Sequence, residues 1–294
     1  MKEIVAIGSI ALDDVETPYG KRENAVGGSL IYFSYAASIF SEVALVGVAG
    51  KDFPEEVLRD LEKRGCDLAG VEIKEGASFR WAGIYKRGKE DPETLRTQLG
   101  LFGEFQPNPP ADYRRAKILY LGNLSPSLQA SLLEEIEHEI AAMDTMNHWI
   151  ESHRNELLSL LKRINILFVN RSEAEMLSGE SGSVPACHRL MEMGPGVVVV
   201  KRGEAGALLC SPRGTAALPA FPVRRVVDPT GAGDSFAGGF LGTLARGQSL
   251  PRALAVAIAV SSFTVEAFSV DRLARVNRRD VEERLEGLKK LVEF

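Results

Sequence analysis

Val226-Val227-Asp228-Pro229-Thr230-Gly231-Ala232-Gly233-Asp234-Ser235-Phe236 is the stretch that decides the reading of this chain. Two valines end a strand, Pro229 and three small residues make a tight turn, and a helix starts near Asp234. Side chains are nearly absent at 231 to 233, so backbone N–H groups can approach a ligand closely. Those amides point outward at a helix N-terminus, where the helix dipole favours negative charge. The turn is an anion hole, and Asp234 places a carboxylate inside it. A lone acid there would be an ordinary N-cap or first-turn residue. Amides and carboxylate on one turn can together grip a transferring phosphoryl group and deprotonate the attacking hydroxyl.

Outward from that turn, the chain alternates strand and helix. Ile4 to Ile10 reads as a buried strand, and Gly27 and Gly28 introduce an apolar helix, Leu30 to Phe40. Val43 to Val48 is a strand and Pro54 to Lys63 a helix. Further on come a strand at Ile118 to Leu121, a helix from Ser127 to His138, a short apolar stretch before Asp144, and a helix from Glu151 to Leu161. Strands follow at Ile166 to Val169, Val197 to Val200 and Ala207 to Cys210. Helices at Ser235 to Leu244, Ala253 to Glu266 and Val281 to Leu291 complete the chain. Apolar strands between helices predict a mainly parallel sheet covered on both faces. Two stretches break the rhythm. Residues 14 to 25 read as polar and irregular. Residues 72 to 106 show alternation at Phe79, Trp81, Gly83 and Tyr85, which predicts a β excursion: a flap with an aromatic underside, or else a sheet extension or dimer surface.

Composition excludes several classes. The 294 residues are 45% hydrophobic and 26% charged, as in ordinary globular proteins. A net charge of −5 argues against a broad nucleic-acid footprint. No apolar run is long enough to span a bilayer, and the N-terminus reads as a strand, not a signal peptide. Cys66, Cys187 and Cys210 are odd in number and far apart, which fits reduced thiols in a cytoplasm. There is no G-x-x-x-x-G-K-[ST] loop, no intact G-x-G-x-x-G, no G-x-S-x-G and no H-E-x-x-H.

DPTGAGDSFAGGF at 228 to 240 closely resembles the C-terminal signature of the ribokinase-like (PfkB) carbohydrate kinases. Other landmarks stand in the family's order. VAIGSIALD (5 to 13) looks like the opening strand and substrate aspartate, and GGSLIYFSYAAS (27 to 38) resembles the diglycine signature. NRSE (170 to 173) matches the N-x-x-E element, and KRGEAGAL (201 to 208) is similar to the nucleotide-side loop. The resemblance implies one ribokinase-like domain over 1 to 294: a three-layer α/β/α fold with a mainly parallel central sheet and a small β lid from about 14–25 and 72–106. It implies an ATP-dependent kinase that moves the γ-phosphate onto a hydroxyl of a sugar or sugar-like molecule, with Mg²⁺ and dimerisation through the lid.

Carried over by position, Asp234 is the general base, and Gly231, Ala232 and Gly233 supply the anion-hole amides. Asp13 binds acceptor hydroxyls with help from Gly27 and Gly28, and Tyr32 and Asn123 border the same pocket. Lys201, Gly203, Gly206 and Asn170 line the nucleotide side. Glu173 orients water around Mg²⁺, and Asp228 and Thr230 resemble a monovalent-cation (K⁺) site closed by the loop Ala267 to Ser269. Glu173 also reads as a plain first-turn helix acid. The chain departs from the family at Tyr32, where Asn is common, and at Ala11, where a polar contact is common. With Phe33 and Trp81 nearby, the pocket reads as more aromatic than a plain pentose or hexose requires. A nucleoside or hydroxymethylpyrimidine kinase on the same fold is the alternative. A non-catalytic nucleotide sensor is a third, opposed by the joint presence of Asp234, the glycines and Glu173.

Overall fold

A computed structural model describes residues 1–88 and 91–292; residues 89 and 90 of the expected lid and residues 293 and 294 lie outside the described residues. In chain order the elements are β1 (Lys2–Ile7), β2 (Ala11–Thr17), β3 (Gly20–Gly27), α1 (Ser29–Ala37), β4 (Val43–Gly50), α2 (Glu55–Lys63), β5 (Cys66–Lys74), β6 (Phe79–Ile84), β7 (Glu93–Gln98) and β8 (Arg115–Leu121). Then come α3 (Pro126–Glu135), β9 (Glu137–Asp144), α4 (Asn147–Ser152), α5 (Arg154–Leu161), β10 (Ile166–Asn170), α6 (Arg171–Ser178), α7 (Ser183–Glu192), β11 (Val197–Lys201), β12 (Ala207–Ser211), β13 (Gly214–Leu218), α8 (Ala232–Ala245), α9 (Leu250–Thr264) and α10 (Arg278–Val292).

Among the described residues, nine strands form one sheet in the order β13-β12-β11-β10-β9-β8-β1-β4-β5. Strands from β11 to β5 pair in parallel, and at one edge the β11–β12 and β12–β13 pairings are antiparallel. The side-chain period of two divides each strand between two cores. Ile4 and Ala6 of β1, with Phe168 of β10 and Val199 of β11, pack under α1, α8, α9 and α10. Val5, Ile7, Leu167, Val198 and Val200 pack under α3, α5, α6 and α7 on the opposite face. This is the three-layer α/β/α arrangement that the resemblance implied. A smaller sheet, β3-β2-β6-β7, stands apart from it.

The boundaries correct several expectations. The opening run is two strands, not one. β1 stops at Ile7, the chain crosses at Gly8 to Ile10, and β2 belongs to the small sheet. A side chain at Gly8 would sit 2.6 Å from the Ser29 hydroxyl, so the crossing needs glycine. Residues 14 to 25 are not irregular but lie largely in the β2–β3 hairpin. Their polarity reflects an edge strand, exposed from Gly20 to Asn24. The helix expected to reach His138 ends at Glu135, and Glu137–Asp144 is a strand between β8 and β10. Its Glu, Ala and Met residues favour helix locally, and the vacancy between two strands overrides that preference.

α1 and α8 cross in direct contact because α8 is glycine-rich on the facing side. A methyl group on Gly238 would lie 2.4 Å from the Phe33 carbonyl and 2.8 Å from the Ala36 side chain. Gly238→Ala is therefore expected to lower stability by about 1–3 kcal/mol, the range for overpacking a dense core. Urea unfolding of the variant measures this directly, and an unchanged midpoint would contradict the contact.

Candidate active site

Five neighbouring parallel strands end on one edge, and each delivers a polar side chain there. Ser9 follows β1, Asn123 follows β8, Asp144 ends β9, Asn170 ends β10 and Lys201 ends β11. The carboxyl edge of an open parallel sheet is the general location of ligand crevices in such folds. A cavity of about 210 Å³ on this edge is lined by Ser9, Ser29, Asn123, Asp144, Lys201 and Asp234, among others.

The first helix is fixed to β1 reciprocally. The Ser9 amide donates to the Ser29 hydroxyl at 3.1 Å, and the Ser29 amide donates to the Ser9 hydroxyl at 3.0 Å. Gly28 caps this helix at φ 94°, and a side chain there would meet the Ser9 carbonyl at 2.4 Å. Gly27 lies against the Asp13 carboxylate, so any side chain at 27 would displace it. Asp13, on β2, is 5% exposed. Burial and the charge of Asp228 push its carboxyl up to about 8, against the opposing Trp81 amide. Trp81 sits directly opposite Asp13 in the β2–β6 register, so both lie on one face of the small sheet.

The turn before α8 forms as expected, but Val226 and Val227 lie in no strand and the helix already begins at Ala232. Gly231 takes φ 72°, a left-handed conformation, and its α-carbon rests on the Tyr32 ring. Tyr32 is only 2% exposed. It therefore supports the turn from below and is not an open pocket wall. Phe33 stacks on Tyr120 with ring centroids 4.1 Å apart, in the core and not in the acceptor pocket. The Ala232 amide is spent on the Pro229 carbonyl at 3.2 Å. The Gly231 and Gly233 amides have no hydrogen-bond partner among the described residues, so two of the three expected amides remain for a ligand.

Lys201 reaches this turn. Its Nζ lies 3.0 Å from where a Gly233 side chain would begin and 2.8 Å from Asp144 Oδ2. Burial works against the Lys201 charge, but Asp144 and Glu173 outweigh it and hold the ammonium above the ordinary lysine value. Asp144 is held by its neighbours: the buried Gln129 amide donates to the carbonyls of Gly122 (2.9 Å) and Asp144 (3.2 Å). Asp234 is pushed up to about 7 by burial and the Asp144 charge, with Lys201 opposing. A carboxyl poised near neutrality beside free amides and an ammonium can accept a proton from a hydroxyl.

Asn170 and Glu173 form a reciprocal capping box on α6. Asn170 Oδ1 accepts from the Glu173 amide at 2.8 Å, and Glu173 Oε2 accepts from the Asn170 amide at 2.7 Å. The cap uses only one oxygen of Glu173. Burial pushes this carboxyl up to about 7, partly offset by Lys201. Among the described residues no three metal-ligating side chains converge. Gly203 opens a short 3₁₀ turn after β11, and Gly206 is pressed against the Leu218 carbonyl. These two glycines shape the loop.

Asp228 is 1% exposed and acts as a knot. Oδ1 accepts from the Thr230 amide at 2.9 Å and Oδ2 from the Ser269 amide at 3.3 Å. The Ser269 hydroxyl in turn donates to the Val26 carbonyl at 2.6 Å. Asn123 accepts from the Trp149 indole at 2.9 Å and turns its amide nitrogen toward Met146.

Sequence reasoning passed over Ser9, Ser29 and Tyr85, and gave Asp144 no place in the phosphate machinery. The Tyr85 hydroxyl lies 3.3 Å from that of Thr230, so the small sheet touches the anion-hole turn. The Ser172 hydroxyl, on α6, donates to Asp91 at 3.1 Å. The aromatic alternation at 79 to 85 marked the strand, but nothing local shows which turn it meets.

Comparison with known proteins agrees with this geometry. Residues 1–274 match the pfkB family carbohydrate kinase sequences. A cytidine kinase of Thermococcus kodakarensis is 32% identical over 257 residues, covering 85% of this chain and 91% of the relative. A nucleoside kinase of Methanothermobacter thermautotrophicus is 28% identical over 282 residues, covering 90% of each. The fold superposes on the Methanocaldococcus jannaschii nucleoside kinase with a TM-score of 0.77 at 19% identity, covering 97% and 98% of the two chains. Ribokinase from Cryptococcus neoformans, solved with ADP, gives 0.79 at 21% identity, covering 97% and 100%. The chain belongs to the pfkB family of carbohydrate kinases, phosphotransferases that act on a hydroxyl acceptor.

Proposed function

We propose that this enzyme uses ATP to phosphorylate a hydroxyl of a nucleoside, with Asp234 as the general base. The observation that carries the chemistry is the convergence of Asp234, the free amides of Gly231 and Gly233, and Lys201 on one cavity. Two observations support a nucleoside over a free sugar. Trp81 stands opposite Asp13 on the small sheet, and its ring approaches that of Tyr85 at 6.4 Å. The Thermococcus kodakarensis and Methanothermobacter thermautotrophicus relatives are by name kinases of cytidine and of nucleosides. Aromatic faces suit a base, whereas a bare pentose offers them little area.

In this reading Asp13 and the Gly27–Gly28 backbone bind acceptor hydroxyls, and Asn123 contacts the far end of the acceptor. Asn170, Gly203 and Gly206 shape the nucleotide side, and Glu173 faces the phosphates. Mg²⁺ arriving with ATP supplies charge neutralisation on the transferring group. Asp234 removes the hydroxyl proton as that oxygen attacks the γ-phosphorus, and the bond to the ADP oxygen breaks. Lys201 and the two amides stabilise the charge on the equatorial oxygens. Asp144 acts on Lys201, fixing its ammonium beside the turn.

The single domain closes under the small sheet, which serves as its lid through residues 14–25 and 72–106. Support comes from the Tyr85–Thr230 and Asp91–Ser172 contacts. Closure excludes water and limits ATP hydrolysis. Dimerisation through the same sheet belongs to the proposal, supported by the exposed Leu95 and Leu99. A K⁺ ion beside Asp228 and Thr230 belongs to the proposal too, and it would share the two Asp228 oxygens with the Thr230 and Ser269 amides. Among the described residues no helix is long and apolar enough to cross a membrane. Three buried, unpaired cysteines suit a reducing cytoplasm.

A panel of nucleosides and free sugars assayed for ADP release tests the acceptor. Pyrimidine nucleosides are expected to give the highest kcat/KM, and a preference for a free hexose would refute the nucleoside reading. Asp234→Asn is expected to fold normally and to lower kcat about 10²- to 10⁴-fold. In the native enzyme kcat/KM should fall with acidification through about 7, as Asp234 takes up its proton. Turnover of the Asn variant within twofold of native would remove Asp234 from this role.

Asp13 gives a stability test. Its folded carboxyl titrates near 8 against an ordinary value of 3.8, so between those values the folded state holds a proton that the unfolded chain has released. Its contribution is present below 3.8 and lost as pH rises through 8. Asp13→Asn, which cannot ionise, should therefore gain on native by about 2 kcal/mol or more at pH 8.5, and much less at pH 4. Equal differences at both pH values in urea unfolding would show that Asp13 is not desolvated as described.

A further inference from the structure

A second cavity, of about 240 Å³, opens at the other end of α8. At 1.5 Å per residue, that 14-residue helix sets it roughly 20 Å from the anion-hole turn. Its polar wall consists of Thr243 and Arg246 from α8 and the residue after it, Gln248 from the next loop, Arg252 from α9, and Arg278 and Glu282 from α10.

The charges do not balance. Arg252 binds both carboxylate oxygens of Glu282, at 2.8 and 2.5 Å. The guanidiniums of Arg246 and Arg278 have no ion pair or hydrogen bond among the described residues. Three guanidiniums against one carboxylate leave two positive charges facing the same space, in a chain whose net charge is −5. An independent feature lies in the wall. Thr243 is 3% exposed, and its hydroxyl has no hydrogen-bond partner among the described residues. A buried hydroxyl without a partner is costly unless something supplies one. An oxyanion in the cavity would accept from that hydroxyl and from the two unpaired guanidiniums. Planar, multi-donor guanidinium groups match phosphate geometry well.

We infer that this cavity is a binding site for a small phosphate-bearing anion, separate from the site of phosphoryl transfer. Its volume falls below the roughly 300–1,000 Å³ of sites that enclose drug-sized ligands. It therefore takes inorganic phosphate or the phosphate end of a sugar phosphate, not a whole nucleotide. The site joins α8, α9 and α10, and α8 carries Asp234 at its other end, so occupancy tightens the helix layer behind the catalytic turn.

The test uses the full-length enzyme with its active site saturated by Mg²⁺ and a non-hydrolysable ATP analogue, so that the anion hole cannot report. Thermal midpoints are measured against inorganic phosphate and, separately, ribose 5-phosphate, with chloride holding ionic strength constant because exposed charges are screened by salt. A saturable rise is expected in the native protein. In the Arg246→Ala/Arg278→Ala double variant the apparent Kd should weaken at least tenfold while kcat stays unchanged, and in Thr243→Val it should weaken several-fold. Tighter binding of ribose 5-phosphate identifies an organic phosphate, and equal binding identifies the inorganic ion. Tungstate soaked into crystals should give an anomalous peak between the arginines. No saturable rise beyond chloride, or equal binding by native and double variant, would overturn the assignment.

Discussion

The close crossing of α1 over α8 is the contact on which the catalytic geometry rests. Gly238 and Gly242 meet the Phe33 and Ala37 backbone, and Gly231 meets the Tyr32 ring. This packing brings two helix N-termini, Gly28 and Gly231, to one side of the sheet. Four glycines within α8 each cost up to about 1 kcal/mol of helix propensity. The fold accepts that cost because nothing larger lets the helices approach. The diglycine loop, Asp13 beside it and the anion-hole turn are thereby held to a common frame.

Onto this frame the strand ends add charge in an unusual proportion. Asp13, Asp144, Glu173, Asp228 and Asp234 crowd a site with Lys201 as the ammonium at its centre. Burial raises most of these acids, so protons are retained where exposed carboxyls would have lost them. Such a site is destabilising at rest and becomes useful when MgATP and a hydroxyl arrive. Asp228 differs from the others. Its two oxygens tie residues 230 and 269 together, and Ser269 extends the tie to Val26, so it links three segments distant in sequence.

Much of this was legible in the sequence because the informative residues are local. The 228–240 segment states its own turn, helix start and acid, and the apolar runs of β10 and β11 state buried strands. What escaped depends on distant partners. Glu137–Asp144 has helical composition and becomes a strand because β8 and β10 leave room for it. The hairpin at 11–27 is polar because its outer strand faces solvent. Tyr32 and Phe33 look like pocket residues beside the diglycine, but both sit on the buried side of α1, under the turn and in the core. The Lys201–Asp144 pair spans two strands with a third between them, and no local spacing encodes it.

The central claim is that Asp234 acts on the acceptor hydroxyl while the amides of Gly231 and Gly233 hold the phosphoryl group that it attacks. A crystal structure with a nucleoside acceptor, Mg²⁺ and a non-hydrolysable ATP analogue tests it most directly. The account predicts an acceptor hydroxyl within about 3 Å of the Asp234 carboxylate and the terminal phosphate on the two amides. A hydroxyl bound instead by Asp144 or Glu173, with Asp234 facing no ligand, would contradict it.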